Sequence, residues 1–234
     1  MFSKYDPTAH YPEIPVGAPR LAYEKPELGK NYWILDHALD AAKEISNRCF
    51  NSKKWMSGHP YTAEKWPGKR AKNALKRNEL DQIETWVKQT LGTERLWVQQ
   101  TSNNTVVNFN VAQKVGVKEC NPLPHTDSRH LCRYAAVLYL APNPDIEAGT
   151  SFYRLRYPNG AVGGNMVMAP YQNLRDALNV QNLPPEAWCE ELRVDNVFNR
   201  LLLYKANLVH GATGYFGTAK RDKRLTAVFF WMTE

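Results

Sequence analysis

Apolar positions along the chain follow two different rules. Up to Gly92 they recur at helical spacing. In "NYWILDHALDAAKEISNRCF" (31–50), Leu39, Ala42, Ile45 and Phe50 fall roughly on one helical face, with Asp36 available as an N-cap. In "ELDQIETWVKQTL" (79–91), Leu80, Ile83, Trp86, Val87 and Leu91 form a second stripe, and Gly92 ends it. Beyond Gly92 the runs shorten and become β-branched and aromatic: "RLWVQQ", "TVVNFNVAQ", "RYAAVLYLAP", "TSFYRLRY", "NRLLLYKANLVH" and "RLTAVFFWM". Short strands separated by turn residues predict a sandwich or jelly roll, with a helical insertion over 171–191. The expected class is α+β: a double-stranded β-helix (jelly roll) core over 95–234 with N-terminal helices packed on it. Residues 1–94 would supply a Pro-rich arm, two helices and a basic loop to the same domain.

That basic loop, "NSKKWMSGHPYTAEKWPGKRAKNALKRN" (51–78), interleaves cations with aromatics. It is long for a compact domain, which fits either a solvated loop or an active-site lid. Charge points the same way for the whole chain. At 234 residues, one domain's worth, the net charge is +7. This favours acidic partners (small anions, nucleic acid or a membrane surface) without choosing among them. The first residues lack the apolar core of a signal peptide, and no apolar run reaches membrane-spanning length. The four cysteines are scattered without a C-x-x-C pair. Reduced thiols in a cytoplasmic protein are therefore expected rather than a disulfide frame or a zinc site.

The candidate chemistry starts at "PHTDSRH" (124–130). His125 and Asp127 are two apart, so on an extended segment both side chains share a face. A His-x-Asp alone is a weak signal, equally a polar turn. A third ligand must come from another strand, and "LLLYKANLVHGATG" ends a strand at His210. Two histidines and a carboxylate on one side of a metal form the facial set of non-haem Fe(II) oxygenases, with three positions open. A 2-oxo acid would take two and O₂ the third. A 2-oxoglutarate cosubstrate also needs a cation for its distal carboxylate. "RLTAVFFW" begins with Arg224, which shares a strand face with the Thr226 hydroxyl. A buried arginine there costs several kcal/mol unless it meets an anion.

The order of these pieces resembles the Fe(II)/2-oxoglutarate-dependent dioxygenase superfamily, closest to its prolyl-4-hydroxylase-like branch. In that branch a His-x-Asp is followed by an apolar strand, a Gly-Gly-Thr-Phe-like turn, a distal histidine and a basic residue on the last strand. Here the counterparts are His125-Thr-Asp127, "AAVLYLAPNPDIEAGTSFY", His210 and "RLTAVFF". The resemblance covers about 95–232. It implies that His125, Asp127 and His210 ligate Fe(II). Arg224, helped by Thr226, would bind 2-oxoglutarate, with Tyr139 a further candidate for the same carboxylate. It also implies O₂-dependent decarboxylation to succinate and CO₂, coupled to hydroxylation of an unactivated C–H. The branch often places its basic residue nearer the distal histidine, which keeps Lys220, Arg221 and Lys223 in play as anchors.

Other readings use the same residues. An AlkB-like nucleic-acid demethylase suits the charge, but that branch carries a second arginine six residues after the first, where Phe230 stands here. A non-catalytic cupin-like module needs no Arg224–Thr226 pair. A zinc hydrolase needs a general acid or base that no motif supplies, and a halogenase lacks a carboxylate where Asp127 stands. The substrate expectation is a small amino-acid-like or peptidyl molecule bearing a carboxylate. Arg70, after a Pro-Gly turn, would be its clamp, Trp66 an apolar wall, and Arg129 further positive charge. The sequence leaves the oligomeric state open.

Overall fold

The computed structural model describes residues 21–57, 67–100, 109–179 and 183–234. In chain order the elements are β1 (Leu21–Ala22), β2 (Tyr32–Leu35), α1 (Ala42–Asn51), β3 (Met56–Ser57), β4 (Lys69–Lys72) and α2 (Arg77–Leu91). They continue with β5 (Leu96–Trp97), β6 (Val111–Val115), β7 (Tyr134–Tyr139), β8 (Thr150–Leu155), β9 (Met166–Val167) and α3 (Leu174–Leu178). The last are β10 (Trp188–Val194), β11 (Leu201–Lys205), β12 (His210–Ala212) and β13 (Arg224–Thr233). The large sheet runs β2-β11-β7-β13-β6-β4-β3, with β5 pairing on β13; a smaller one runs β10-β8-β12. The pairings within both are antiparallel. With β1 and β9 forming a separate two-stranded antiparallel sheet, this is a jelly-roll-like arrangement of two main sheets with few helices.

Alternation along the central strands divides the core in two. On β13, Leu225, Ala227, Phe229 and Trp231 join Leu138, Leu201 and Leu203 against the helix residues Ile45, Phe50, Leu80, Ile83 and Val87. The other face of β13, with Val228 and Phe230, joins Val137, Tyr139, Leu202 and Tyr204 against Phe152 and Val194 of the small sheet. β13 is thus covered on both sides, which explains why "RLTAVFFW" is buried at every position. α2 starts with a capping box in which Glu79 accepts from the Lys76 amide (2.7 Å), and stops at Gly92, left-handed at φ 64°.

Three expectations are corrected. Residues 31–50 are not one helix. Tyr32–Leu35 pairs with β11 as a strand, and α1 begins only at Ala42. Asp36 is no N-cap: both of its oxygens accept from Arg200, at 2.6 and 3.0 Å. A four-residue aromatic and aliphatic run cannot show its period, and His37 at φ 54° breaks the chain before the helix. The basic stretch 51–78 is not all loop, since it contributes β3 and β4 to the sheet edge; Trp66 lies outside the described residues. The 171–191 insertion holds one short helix, a turn of 3₁₀ helix and then strand β10.

Candidate metal centre

The segment around His125 is not a regular strand, yet its backbone behaves as one at a single point. The His125 amide donates to the His210 carbonyl and the His210 amide to the His125 carbonyl, both at 2.8 Å. A hydrogen-bonded antiparallel pair puts two side chains on the same side, and the two imidazoles lie 4.6 Å apart. The Asp127 amide donates to the Ala206 carbonyl (3.0 Å), bringing its carboxylate to 3.6 Å from His210 Nε2. Thr126, between the ligands, is pinned by the Leu174 amide (2.8 Å). His125, Asp127 and His210 thus present three ligand atoms within 4.8 Å of one another.

Their protonation suits a metal. His125 Nδ1 sits 3.0 Å from the Leu123 carbonyl and His210 Nδ1 sits 2.8 Å from the Leu208 carbonyl. A carbonyl only accepts, so each Nδ1 carries the hydrogen and each Nε2 offers a lone pair. Burial first, and then the neighbouring His125, which would repel a second proton, push the His210 pKa well below its usual value and keep the ring neutral. Tyr204 covers the His210 ring at 4.4 Å. One carboxylate, two neutral imidazoles and oriented second nitrogens are the donor set a divalent transition metal takes.

Cross-strand register places the remaining polar groups. Arg70 of β4 pairs with Gln113 of β6, Gln113 with Thr226 of β13, and Thr226 with Tyr139 of β7. Paired residues share a face, so this row lines the inner side of the large sheet, with Arg224 two residues from Thr226 on the same side. Arg224 is buried; its Nε donates to the Ala148 carbonyl (3.0 Å) and its Nη2 to the Gly149 carbonyl (3.1 Å). The Thr226 hydroxyl is buried with no hydrogen-bond partner among the described residues. Tyr139 donates to Thr150 (2.8 Å) and lies under the Arg224 guanidinium. The rival cations point elsewhere: Arg221 is exposed on Asn47, Lys223 pairs with Glu119, and Lys220 is exposed.

Arg70 is not a loop residue but a strand residue, 1% exposed. Burial lowers its pKa to about 9, opposed by Tyr215 and Asp127, so it is charged at neutral pH. Arg129 donates to the Tyr171 carbonyl (2.9 Å), tying the segment after Asp127 to the loop before α3. Sequence reasoning missed Gln113, Thr150 and Tyr215. The first two are ordinary polar residues in strands, and only register gives them a place.

The solved structures most like this chain include HygX from Streptomyces hygroscopicus with nickel, 2-oxoglutarate and hygromycin B bound: 13% identity, 86% of this chain and 82% of that one covered, TM-score 0.50. At that identity the likeness speaks to the fold alone. The α-ketoglutarate-dependent epimerase SnoN of nogalamycin biosynthesis matches at 16% identity, 86% and 76% coverage and TM-score 0.49. A Pseudomonas putida prolyl-4-hydroxylase matches at 13%, 87% and 93%, and 0.44. No curated protein matches the sequence. Among the described residues, no helix is long and apolar enough to cross a membrane. One family profile, described as "Family of unknown function (DUF6445)", matches residues 19–230. The chain belongs to that family.

Proposed function

We propose that the protein is an Fe(II)/2-oxoglutarate-dependent oxygenase of the prolyl-4-hydroxylase-like branch. It acts in the cytoplasm on an unactivated C–H of a small amino-acid-like or peptidyl substrate. The observation that carries this reading is the pair of imidazoles with Nδ1 tied to the backbone, facing one buried carboxylate beside a buried arginine. The likeness to HygX, solved with nickel and 2-oxoglutarate, supports it. On this reading the two sheets form a double-stranded β-helix, and residues 1–94 belong to the same domain.

His125 and His210, through Nε2, and Asp127 would hold the metal. Fe(II) bound there with 2-oxoglutarate would supply the O₂-dependent oxidising chemistry, with 2-oxoglutarate converted to succinate and CO₂. The chain's own contribution is placement. Two of the five Arg224 N–H donors are held by carbonyls, so the two on Nη1, the second on Nη2 and the neighbouring Thr226 hydroxyl are donors left for the distal carboxylate of 2-oxoglutarate. Tyr139, held by Thr150, closes that side of the pocket. Phe152, Tyr204, Val228 and Phe230 form an apolar wall that keeps water out.

Anaerobic addition of Fe(II) and 2-oxoglutarate to the purified protein tests the assignment. A weak visible charge-transfer band is expected, lost in Asp127→Ala. Arg224→Leu should weaken 2-oxoglutarate binding tens- to thousands-fold, the roughly 2–5 kcal/mol of a buried charge pair, while Arg221→Leu leaves it unchanged. An intact band in Asp127→Ala would refute the triad.

A further inference from the structure

On the helix side of the large sheet, across from the polar row, lysines crowd together. Lys69 of β4 and Lys114 of β6 are cross-strand partners, so their side chains share a face. Lys114 in turn pairs with Leu225 of β13, which packs among the helix residues. Arg70 and Gln113, the next residues on each strand, face the other way. The Lys114 side chain is almost fully buried, and its ammonium lies 4.3 Å from the centre of the Trp55 ring.

The loop before β13 brings two more lysines. The Val117 amide donates to the Gly217 carbonyl (3.1 Å), which holds residues 217–223 against the end of β6. The approach is close: a Cβ on Gly116 would stand 2.8 Å from the Gly217 carbonyl oxygen and 3.0 Å from Lys223 Cε. Lys220 and Lys223 therefore act on Lys114. Burial first, and then Lys220, Lys223 and Lys69, lower its pKa, with Glu119 opposing them. Glu119 is already engaged. One of its oxygens accepts from Lys223 and the other from the Gly116 amide (2.8 Å). Asp222, the other carboxylate of these two segments, is exposed in the turn. Among the described residues, Lys223 is the one lysine of the four that forms an ion pair.

The cluster opens onto a cleft. Ala71 and Ala112, the next pair on the same strands and the same face, floor a cavity of about 260 Å³. Lys53 and Lys54, just beyond the end of α1, line its wall. Like charges held this close repel, and an anion set among them offsets that cost. A lysine is a compact point charge that donates and never accepts, which suits the acceptor oxygens of a phosphate. A lone carboxylate would leave the cluster in positive excess, whereas a multiply charged phosphate matches it.

We infer that Lys69, Lys114 and Lys220 form an anion-binding site on the helix side of the large sheet, and that it takes a diphosphate or triphosphate group, inorganic or borne by a nucleotide. Lys223, held by Glu119, fixes the loop that carries Lys220. The site lies across the sheet from the metal ligands and does not rest on the oxygenase reading.

Calorimetric titration of the full chain with sodium tripolyphosphate, pyrophosphate, ADP, citrate and a short single-stranded oligonucleotide tests the inference. Tripolyphosphate is expected to bind. Lys69→Gln and Lys220→Gln, both at exposed positions, should each weaken it about tenfold, the scale of one charged hydrogen bond, with an unchanged melting temperature. Lys30→Gln, an exposed lysine elsewhere on the chain, should leave it within about twofold. Citrate, an anion of carboxylates alone, should not respond to any of the three. ADP binding tighter than pyrophosphate would identify a nucleotide as the source of the phosphates, and equal binding the phosphates by themselves; either supports the site. Absence of tripolyphosphate binding overturns the inference, as does equal binding to wild type and both cluster variants. A citrate affinity that falls in step with that of tripolyphosphate removes the preference for phosphate, and an equal loss in Lys30→Gln reduces the effect to net charge; each overturns it. Oligonucleotide binding tighter than tripolyphosphate, and lost in the same variants, would assign the surface to nucleic acid instead.

Discussion

The ring of His210, a ligand on the proposed reading, is sealed from water, and that has a consequence for stability. Burial holds its folded pKa well below the roughly 6.5 of an unfolded histidine. As pH falls through that value the unfolded chain takes up a proton that the folded chain refuses. The stability contributed by the neutral ring is therefore complete above about pH 6.5 and drains away below it. The melting temperature of the metal-free protein should drop between pH 7 and 5, and His210→Gln should flatten part of that slope. Single residues of this kind were legible in the sequence because ligand chemistry restricts the choice: His125, Asp127 and His210 do meet in space. Arg70 was legible as a cation but not as a buried one. In "KRAK" the buried Arg70 is as polar as the exposed lysines at either end, so a binary pattern shows no strand at all.

Among the elements, the turn into β8 connects fold and site most directly. Gly149 offers its carbonyl to both Arg224 and the Thr213 amide (3.1 Å each) while packed against β10. A Cβ there would sit 1.9 Å from the Val194 carbonyl. Gly149→Ala must push β10 away or rotate that carbonyl. The expected cost is about 1–3 kcal/mol in a denaturant titration, together with weakened 2-oxoglutarate binding in calorimetry. Normal cosubstrate affinity in a destabilised variant would detach the turn from the anchor. The strong strands β7, β8, β11 and β13 could be read from composition. β2 could not, because Tyr32–Leu35 is too short to separate period 2 from period 3.6, and its strand identity comes from pairing with β11, a partner remote in sequence.

For the whole molecule, the large sheet separates stability from chemistry. One face meets the helices and the other meets the small sheet and the site. Ile83 is fully buried in the helix-side cluster, on the face of the sheet opposite the polar row. Ile83→Ala should cost about 2–5 kcal/mol in thermal or denaturant unfolding, yet leave the affinities for metal and 2-oxoglutarate within about twofold of wild type. A large loss of affinity at temperatures where the variant is folded would mean that the two faces are coupled. The jelly-roll expectation followed from the succession of short β-branched and aromatic runs after Gly92. The participation of β3 and β4 at its edge did not, since β3 is only two residues long and lysine and arginine dominate β4.

The carbonyls of Leu123 and Leu208, each two residues before the histidine it holds, lock both imidazoles before any ion arrives. A centre aimed in advance by its own backbone has little left to rearrange on loading, but three ligand atoms from the chain leave the rest of the coordination sphere open, so no complete geometry is imposed by which to choose between divalent ions. Its preferences should then follow the intrinsic order of the metals, with nickel and copper above iron. What the protein carries in a cell would be decided by supply: whichever ion is abundant and exchangeable would fill the site, and iron would hold it through availability rather than selectivity.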